Sequence, residues 1–316
     1  MRRGLLKYLF RRLALAALLV AVVSSAALLL VQASPGDHLS SFDIDPAAAA
    51  AERRRLGLDR PIAEQYVAWI DRALRLDFGE SVRYRRPVNT LIGDRAGKTA
   101  LLGAAALTLA TLIGIPAGIV TGSRRNTLTG LARAVSLLVV SVPSLVTSFA
   151  LLLLAARTGW LPVGGFATAP DASWSTMGRY LAVPALALAL PIAASLERLQ
   201  SQAMHDALRN PSIRAALARG CSRGRVIWRH AFRLALPAVL GIYGVIVGSV
   251  LGGSFAVEIV TAWPGLGSLM YEGLVSRDLF LVAGCAATGA FFLVLGTLAA
   301  DVALAFADPR FEDADS

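Results

Sequence analysis

Six apolar stretches without a charged residue run through this sequence of 316 residues and restrict its fold more than any other feature. A helix needs about 20 mostly apolar residues to cross roughly 30 Å of hydrocarbon, and it satisfies its own backbone polar groups while doing so. The stretches are Leu13–Val31, Thr99–Ser123, Ala134–Ala156, Tyr180–Leu196, Leu234–Val257 and Leu279–Ala300. We therefore predict an all-α, polytopic membrane protein with six transmembrane helices, the fourth of them kinked at Pro184 and Pro191.

The composition agrees with a chain that lies mostly in lipid. Hydrophobic residues make up 56% of the sequence, charged residues 16%, and the mean hydropathy is +0.61. A soluble domain carries about 25% charged residues, so this chain has too few to cover a water-facing surface. Disordered and collagen-like chains are excluded by the same numbers. The two cysteines, Cys221 and Cys285, do not make a disulfide framework.

The basic residues predict the orientation of the spans, because short cytoplasmic loops accumulate Lys and Arg. With the N-terminus inside, the inner segments hold 17 Lys and Arg, against 3 in the short outer loops 157–180 and 257–280. We therefore expect both termini in the cytoplasm. The formal net charge of +10 follows from this distribution and does not indicate nucleic-acid binding. Cleavage of residues 1–33 as a signal peptide is the alternative, although an apolar run of 19 residues favours an uncleaved span.

The predicted organisation has four parts. Residues 1–33 form the N-terminus and first transmembrane helix, 34–97 an extracytoplasmic cap, 98–306 a five-helix core, and 307–316 a cytoplasmic tail. Within the cap, Ala47–Leu56 favours a helix. After Pro61, apolar residues recur at helical spacing and predict a second one; they are Ile62, Tyr66, Trp69, Ile70 and Leu74.

The segment 198–233 differs from the rest of the core, since it has eight Arg and a single acid, Asp206. Asn210 followed by Pro211 is a strong helix start, and Gly220 suits the left-handed residue that closes a helix. We predict a short cytoplasmic helix, Pro211–Arg219. Ser222 then caps a second helix whose face at Val226, His230 and Leu234 leads into the fifth span. The pair is either an amphipathic element on the lipid headgroups or a docking element for a soluble partner.

Residue patterns for catalysis are missing from the sequence. Gly93–Thr99 resembles a nucleotide-binding loop but has three residues, not four, before its Gly-Lys pair, so it is interpreted as a loop entering the second span. The histidines His38, His205 and His230 lack the spacing of a metal site or a general base. Three acids, Glu197, Glu258 and Asp301, fall near span ends, which favours structural contacts over ion coupling. We predict no catalytic residue, no cofactor and no metal.

Short motifs follow one another in a fixed order along nearly the whole chain. The longest runs from Ser212 to Gly220 and continues through Arg225-Val226, Arg229–Arg233 and Ala235-Leu236-Pro237. The others are Pro35-Gly36-Asp37, Leu56–Pro61, Gln65-Tyr66, Asp77–Ser81, Arg86-Pro87-Val88, Ser141–Ser144, Gly159–Pro162, Glu258, Trp263–Gly267, Arg277-Asp278 and Asp308-Pro309-Arg310. The set resembles the permease subunits of ABC importers of the dipeptide, oligopeptide and nickel branch, specifically the first of the two permeases, and the 212–237 motif resembles their EAA loop. Arg214 stands where the Glu that names this loop is expected.

This resemblance implies the type I ABC importer permease fold and an ATP-driven import of di- or oligopeptides. Nickel chelates, glutathione and other small solutes are alternatives, as are an ATP-independent secondary carrier and a non-transporting anchor. The implied partners are two cytoplasmic ABC ATPase subunits, which would hydrolyse the ATP, a second permease subunit, an extracytoplasmic binding lipoprotein and the lipid bilayer. The implied location is the bacterial inner membrane. The residues implied in ATPase coupling are Arg214, Ala215, Ala216, Ala218, Gly220, Ser222, Arg225 and His230.

Overall fold

The structure is a computed structural model that describes residues 14–15, 17–27, 51, 54–55, 59–124, 126–166 and 173–307. Most of the predicted Ala47–Leu56 helix, the Pro35–Asp37 motif and the Asp308–Arg310 motif lie outside these ranges. The first helices are α1 (Ala17–Ala27), α2 (Ile62–Leu74), α3 (Val88–Ser123), α4 (Thr127–Val140), α5 (Ser144–Thr158) and α6 (Trp174–Leu208). They are followed by α7 (Pro211–Ala218), α8 (Arg223–Arg225), a π-helical turn (Val226–Ala231), α9 (Phe232–Leu240), α10 (Tyr243–Val260), α11 (Leu266–Val275) and α12 (Leu279–Ala307).

The described part of the chain is helical, with a single isolated bridge between Glu80 and Pro87. Four helices, α3, α6, α10 and α12, are long and apolar enough to cross a membrane, and α4 and α5 together make a fifth candidate. Helix α1 is a shorter apolar helix within the predicted first span. The predicted all-α, multi-pass architecture is therefore confirmed, whereas the number of six spans stays a prediction.

The third predicted span, Ala134–Ala156, is not one straight helix. Helices α4 and α5 meet at an angle of 105° across the break at 141–143. Pro143 has no amide hydrogen for the helix ladder, and a proline disfavours helical backbone at the residue before it, here Val142. Pro143 is then the N-cap of α5, where its fixed backbone angle is tolerated.

The second and fifth spans differ from their predicted bounds. Helix α3 starts at Val88, eleven positions before the expected Thr99, so the Gly93–Thr99 segment is helical and not a loop. The predicted span began too late because charged residues lower the hydropathy of this first part without preventing a helix. These residues are Asp94, Arg95 and Lys98. The fifth span, Leu234–Val257, is interrupted after Leu240, where Gly241 ends α9 before α10 begins at Tyr243. Helix α6 contains both Pro184 and Pro191 and extends well beyond the predicted Tyr180–Leu196.

By its contacts the chain divides into two compact units, one containing Leu9–Ala100 and Pro264–Phe292 and the other Leu101–Trp263 and Leu293–Ser316. In the first unit, Trp69 of the predicted cap helix α2 is buried in an apolar cluster with Val88, Leu266 and Leu281. The second unit contains the long contact between α3 and α6 and the segment 209–240, and so contains every residue predicted for ATPase coupling.

A fully buried carboxylate connects two segments of the first unit, the loop that contains Ser81 and Arg83 and the start of α12. Asp278 accepts hydrogen bonds from the Ser81 hydroxyl at 2.6 Å, the Arg83 amide at 3.1 Å and the Leu281 amide at 3.2 Å. The last of these caps the start of α12. Close by in sequence, burial and then a hydrogen bond to Glu272 raise the pKa of Tyr84 above its usual value.

Candidate coupling surface

Helix α7 is short, but both of its ends are closed by hydrogen bonds. At the start, the Asn210 side chain accepts from the Ser212 amide at 3.0 Å and from the Ser212 hydroxyl at 2.9 Å, and Pro211 occupies the first helical position. At the end, the Gly220 amide donates to the Leu217 carbonyl at 2.9 Å and the Cys221 amide to the Ala216 carbonyl at 3.2 Å. This pair of bonds is the Schellman motif. The predicted helix is confirmed, with Arg219 as its C-cap.

Gly220 makes the closing turn possible. Its φ is +84°, a left-handed conformation in which any residue with a Cβ is strained. No atom lies within 4 Å of the position that a Cβ would take, so space is not the constraint. The glycine is therefore required for its backbone conformation alone, as the sequence predicted.

One face of α7 anchors it to the spans. Ile213 and Ala216, three residues apart, are 2% and 3% exposed. They belong to an apolar cluster, hereafter the anchor cluster, that also contains Ile119, Met204, Ala207, Val226, Ala231 and Ala235. Since Ile119 lies on α3 and Met204 on α6, the buried face of α7 shares one apolar cluster with two long helices.

The opposite face of α7 is open. Arg214, Ala215, Ala218 and Gly220 are exposed, as are Ser222 and Arg225 just beyond the turn, and His230 is half-buried. Ala216 is the exception among the predicted coupling residues: it points into the anchor cluster, so it cannot offer a contact on the open face. Its small size matters for packing α7 against the spans, not for access by a partner.

Two large apolar residues on this surface were not predicted as coupling residues. Leu217 is 46% exposed and Trp228 is 56% exposed. Fully burying an apolar side chain of this size is worth roughly 1.5–3 kcal/mol, so both residues are available for an apolar contact with a partner or with lipid. In the sequence Trp228 stands alone among arginines, so it does not contribute to a helical repeat of apolar residues and was not predicted.

The second helix of the pair differs from its predicted face. Ser222 stands at the N-cap position, but its side chain makes no capping hydrogen bond. Residues Val226–Ala231 form a π-helical turn, in which hydrogen bonds join residues five apart. Val226 and Ala231 are therefore both buried, at 1% and 0% exposure, whereas the predicted face residue Leu234 is 48% exposed. Because the π turn adds one residue, the buried face after it is displaced by one position along the sequence relative to that of a continuous α-helix.

Behind the anchor cluster, α3 and α6 lie unusually close together. Gly114, Gly118 and Gly122 recur every four residues on α3 and face Ala193, Glu197 and Ser201, which recur every four residues on α6. A Cβ on Gly114 would lie 2.5 Å from the Ala193 carbonyl oxygen, and one on Gly118 would lie 2.6 Å from the Glu197 carbonyl oxygen. Small residues at this spacing let membrane helices approach through their backbones. The Thr121 hydroxyl also donates to the Glu197 carboxylate, the structural contact predicted for this acid.

The sequence matches a known family over most of its length. Residues 114–313 match the binding-protein-dependent transport system inner membrane component, and residues 5–102 match the N-terminal membrane component of such systems. The chain therefore belongs to this family of ABC importer permease subunits, which confirms the resemblance seen in the sequence.

Relatives over the full length support the same assignment. The oligopeptide transport system permease protein AppB of Bacillus subtilis is 32% identical over 314 residues, covering 96% of this chain and 99% of that protein. The oligopeptide transport system permease protein OppB of Mycobacterium bovis is 33% identical over 326 residues, covering 98% of this chain and 97% of that protein.

A solved structure has the same fold. The inward-facing MetNI methionine ABC transporter contains a chain that matches with a TM-score of 0.54 and 16% identity, covering 69% of this chain and 96% of that chain. Because the identity is low, this match concerns the fold alone.

Proposed function

We propose that this chain is a permease subunit of an ATP-driven importer for di- or oligopeptides, and that α7 transmits the motion of a cytoplasmic ATPase to its spans. The observation that carries the proposal is the two-faced construction of α7. One face is fixed in the anchor cluster through Ile213 and Ala216, and the other presents Arg214, Ala215 and Ala218. Peptide as the solute is supported by the names of the full-length relatives.

The mechanism requires α7 to move as a rigid body. A frayed helix would absorb a displacement, whereas hydrogen bonds at both ends hold α7 together. A push on its open face would pass through Ile213 to Met204 and Ile119, and so to α6 and α3. The near contact of α3 and α6 along the glycine stripe would keep those two helices moving together. Two conformations of the spans, with different affinity for the ATP-bound ATPase, then suffice for alternating access.

The complete assembly would have further subunits. We expect α7 and both chain termini in the cytoplasm of a bacterial cell, with two ABC ATPase subunits below the membrane. A second permease subunit, with its own coupling helix, would complete the pathway. An extracytoplasmic binding lipoprotein would deliver the solute to the cap formed by residues 34–97, while residues 98–306 form the translocating core.

Reconstitution tests this proposal. The proteoliposomes contain this chain, its partner permease, both ATPases and the binding protein. They should accumulate a labelled dipeptide or oligopeptide only when the ATPases face the vesicle interior and the interior contains ATP. Competition by unlabelled nickel chelate or glutathione, stronger than by peptide, would identify those solutes in place of peptides. Uptake by this chain alone, driven by an ion gradient and indifferent to ATP, would contradict the proposal in favour of a secondary carrier.

A further inference from the structure

The second unit contains a cavity with a basic lining. It lies at the end of the long helices where α7 follows α6. Its volume is about 340 Å³. It is formed by the end of α3, the middle of α4 and the last third of α6. Its lining consists of Thr121, Gly122, Arg133, Leu137, Arg198, Ser201, Gln202 and His205.

The charges of this lining have one sign. This charge comes from two guanidinium groups on different helices, those of Arg133 and Arg198. The imidazole of His205 lines the cavity beside them, and no carboxylate is among the lining residues. Arg133 uses its Nε to donate to the Thr129 carbonyl at 3.2 Å, which leaves its terminal nitrogens for another acceptor. Within the described ranges, neither arginine forms an ion pair with an acid. Two planar guanidinium groups beside hydroxyl and amide donors suit a phosphate oxygen pair.

One acidic group lies just behind the wall. Glu197 is 3% exposed, and one of its carboxylate oxygens accepts from the Thr121 hydroxyl, which lines the cavity. Because this acid lies behind the wall and is not part of the lining, the cavity itself presents basic, hydroxyl, amide and apolar groups.

The surroundings of the cavity are apolar. Leu137 lines it, and the same helix α4 exposes Leu128, Leu131, Val135 and Leu138 at 78%, 64%, 49% and 69%. Arg133 directly precedes the predicted span Ala134–Ala156, and Arg198 comes two residues after the predicted span Tyr180–Leu196. Basic residues at the ends of apolar runs are the ones expected near the boundary between headgroup and hydrocarbon. A free phosphate has no use for the apolar face beside it, whereas a phospholipid places its acyl chains there.

We propose that this cavity binds the phosphate group of an anionic phospholipid, with Arg133 and Arg198 as its main charge partners and the acyl chains along α4. Basic pockets between membrane helices are known to hold such headgroups. The site is separate from the open face of α7 and does not require that the imported solute be a peptide.

Retention of lipid by the purified full-length chain tests the proposal. Nanodiscs made of equal parts phosphatidylglycerol and phosphatidylcholine supply both lipids, and native mass spectrometry after extraction counts those that remain bound. The unaltered chain should retain phosphatidylglycerol selectively. Combined Arg133→Gln and Arg198→Gln should weaken this retention about 30-fold, since each arginine near a membrane surface contributes about one kilocalorie of attraction.

Three comparisons make the outcome decisive. Arg157→Gln with Arg179→Gln removes the same charge from two exposed arginines of the same unit outside the cavity, and should leave retention unchanged. Arg133→Lys with Arg198→Lys keeps the charge and should retain most of the binding, which separates loss of binding from loss of folding. Equal retention by the Gln pair and the unaltered chain would overturn the proposal. Displacement of the lipid by millimolar inorganic phosphate would assign the cavity to free phosphate and overturn the choice of a lipid.

Discussion

The backbone amide of Cys221 donates to the carbonyl oxygen of Ala216 at 3.2 Å, and this bond closes α7 over Gly220. Because Ala216 is buried in the anchor cluster, the last turn of the helix is held by the same residue that packs against the spans. The end of the helix and its attachment to the membrane core are therefore one structural unit.

Replacing Gly220 should uncouple transport. Gly220→Ala places a Cβ in a left-handed conformation and should destabilise the turn by about 1–2 kcal/mol. Gly220→Pro should have a larger effect, because it also removes the amide that donates to Leu217. We expect peptide uptake to be lost in Gly220→Pro, while membrane insertion, measured by fractionation, stays intact.

A second glycine provides the control for that experiment. Gly159 ends α5 with a φ of +67° and, like Gly220, has no atom within 4 Å of the position that a Cβ would take. Gly159→Ala should therefore cost a similar amount of stability and leave uptake nearly unchanged. Equal loss of uptake in the two alanine variants, or normal uptake by Gly220→Pro, would contradict a specific role for α7.

Ala215 and Ala216 are neighbours that should respond differently to tryptophan. Ala216→Trp forces a large ring into the buried anchor cluster and should lower the thermal stability of the chain in detergent, since overpacking a core typically costs about 1–3 kcal/mol. Ala215→Trp adds the same ring on the open face and should leave stability unchanged.

The two tryptophan variants separate anchoring from docking. Both should abolish uptake, but only Ala215→Trp should do so as a stable chain that no longer co-purifies the ATPase. A stable Ala215→Trp variant with normal ATPase binding and normal uptake would show that the open face of α7 is not the docking surface.

Gly118, one of the three glycines of α3 that face α6, is expected to tolerate no larger residue. A Cβ there would lie 2.5 Å from the Gln200 Cβ as well as 2.6 Å from the Glu197 carbonyl, so α3 and α6 must separate to admit it. Gly118→Ala should lower the midpoint of thermal unfolding, with a destabilisation of about 1–3 kcal/mol.

Gly130 is the matched control, because it also lies within a helix, α4, but has open space around it. Gly130→Ala should raise stability slightly, by about 0.5–1 kcal/mol, through the better helix propensity of alanine. If Gly118→Ala proved as well tolerated as Gly130→Ala, the close approach of α3 and α6 would be wrong.

Replacement of Asp278 should destabilise the chain more than replacement of Asp71, an exposed acid of the same unit. Asp278→Ala removes three hydrogen bonds to a buried carboxylate and should destabilise the chain by roughly 2–5 kcal/mol. Asp71→Ala removes an exposed pair with Arg75 and should change stability by less than about 0.5 kcal/mol. Denaturation in detergent measures both, and similar effects for the two would contradict the buried role of Asp278.

Features coded by a few adjacent residues were predictable from the sequence. Asn210, Pro211 and Gly220 determine the start and end of α7 through local hydrogen bonds and backbone angles, so they were correctly placed. The break at Pro143 has the same local cause, but a hydropathy window passes over it because the residues on both sides are apolar.

Features that depend on contacts between distant segments were not predictable. Nothing in Val226–Ala231 indicates a π turn, which places both Val226 and Ala231 in the anchor cluster. For the same reason the sequence could not separate Ala216 from Ala215: the two are identical in type, and only the packing against α6 distinguishes them. The basic cavity likewise joins Arg133 and Arg198, which lie 65 positions apart in the sequence.

Accessibility of Ala215 tests the central claim most directly. Cys221 is half-buried and Cys285 is buried, so Cys221→Ser gives a background in which Ala215→Cys is the main reactive thiol. A membrane-impermeant maleimide should leave Ala215→Cys unlabelled in intact cells, label it in inside-out vesicles stripped of ATPase, and label it much less once the ATPase is added back. Labelling of this cysteine from outside intact cells, or labelling that the ATPase does not reduce, would contradict the account of α7 as the cytoplasmic docking helix.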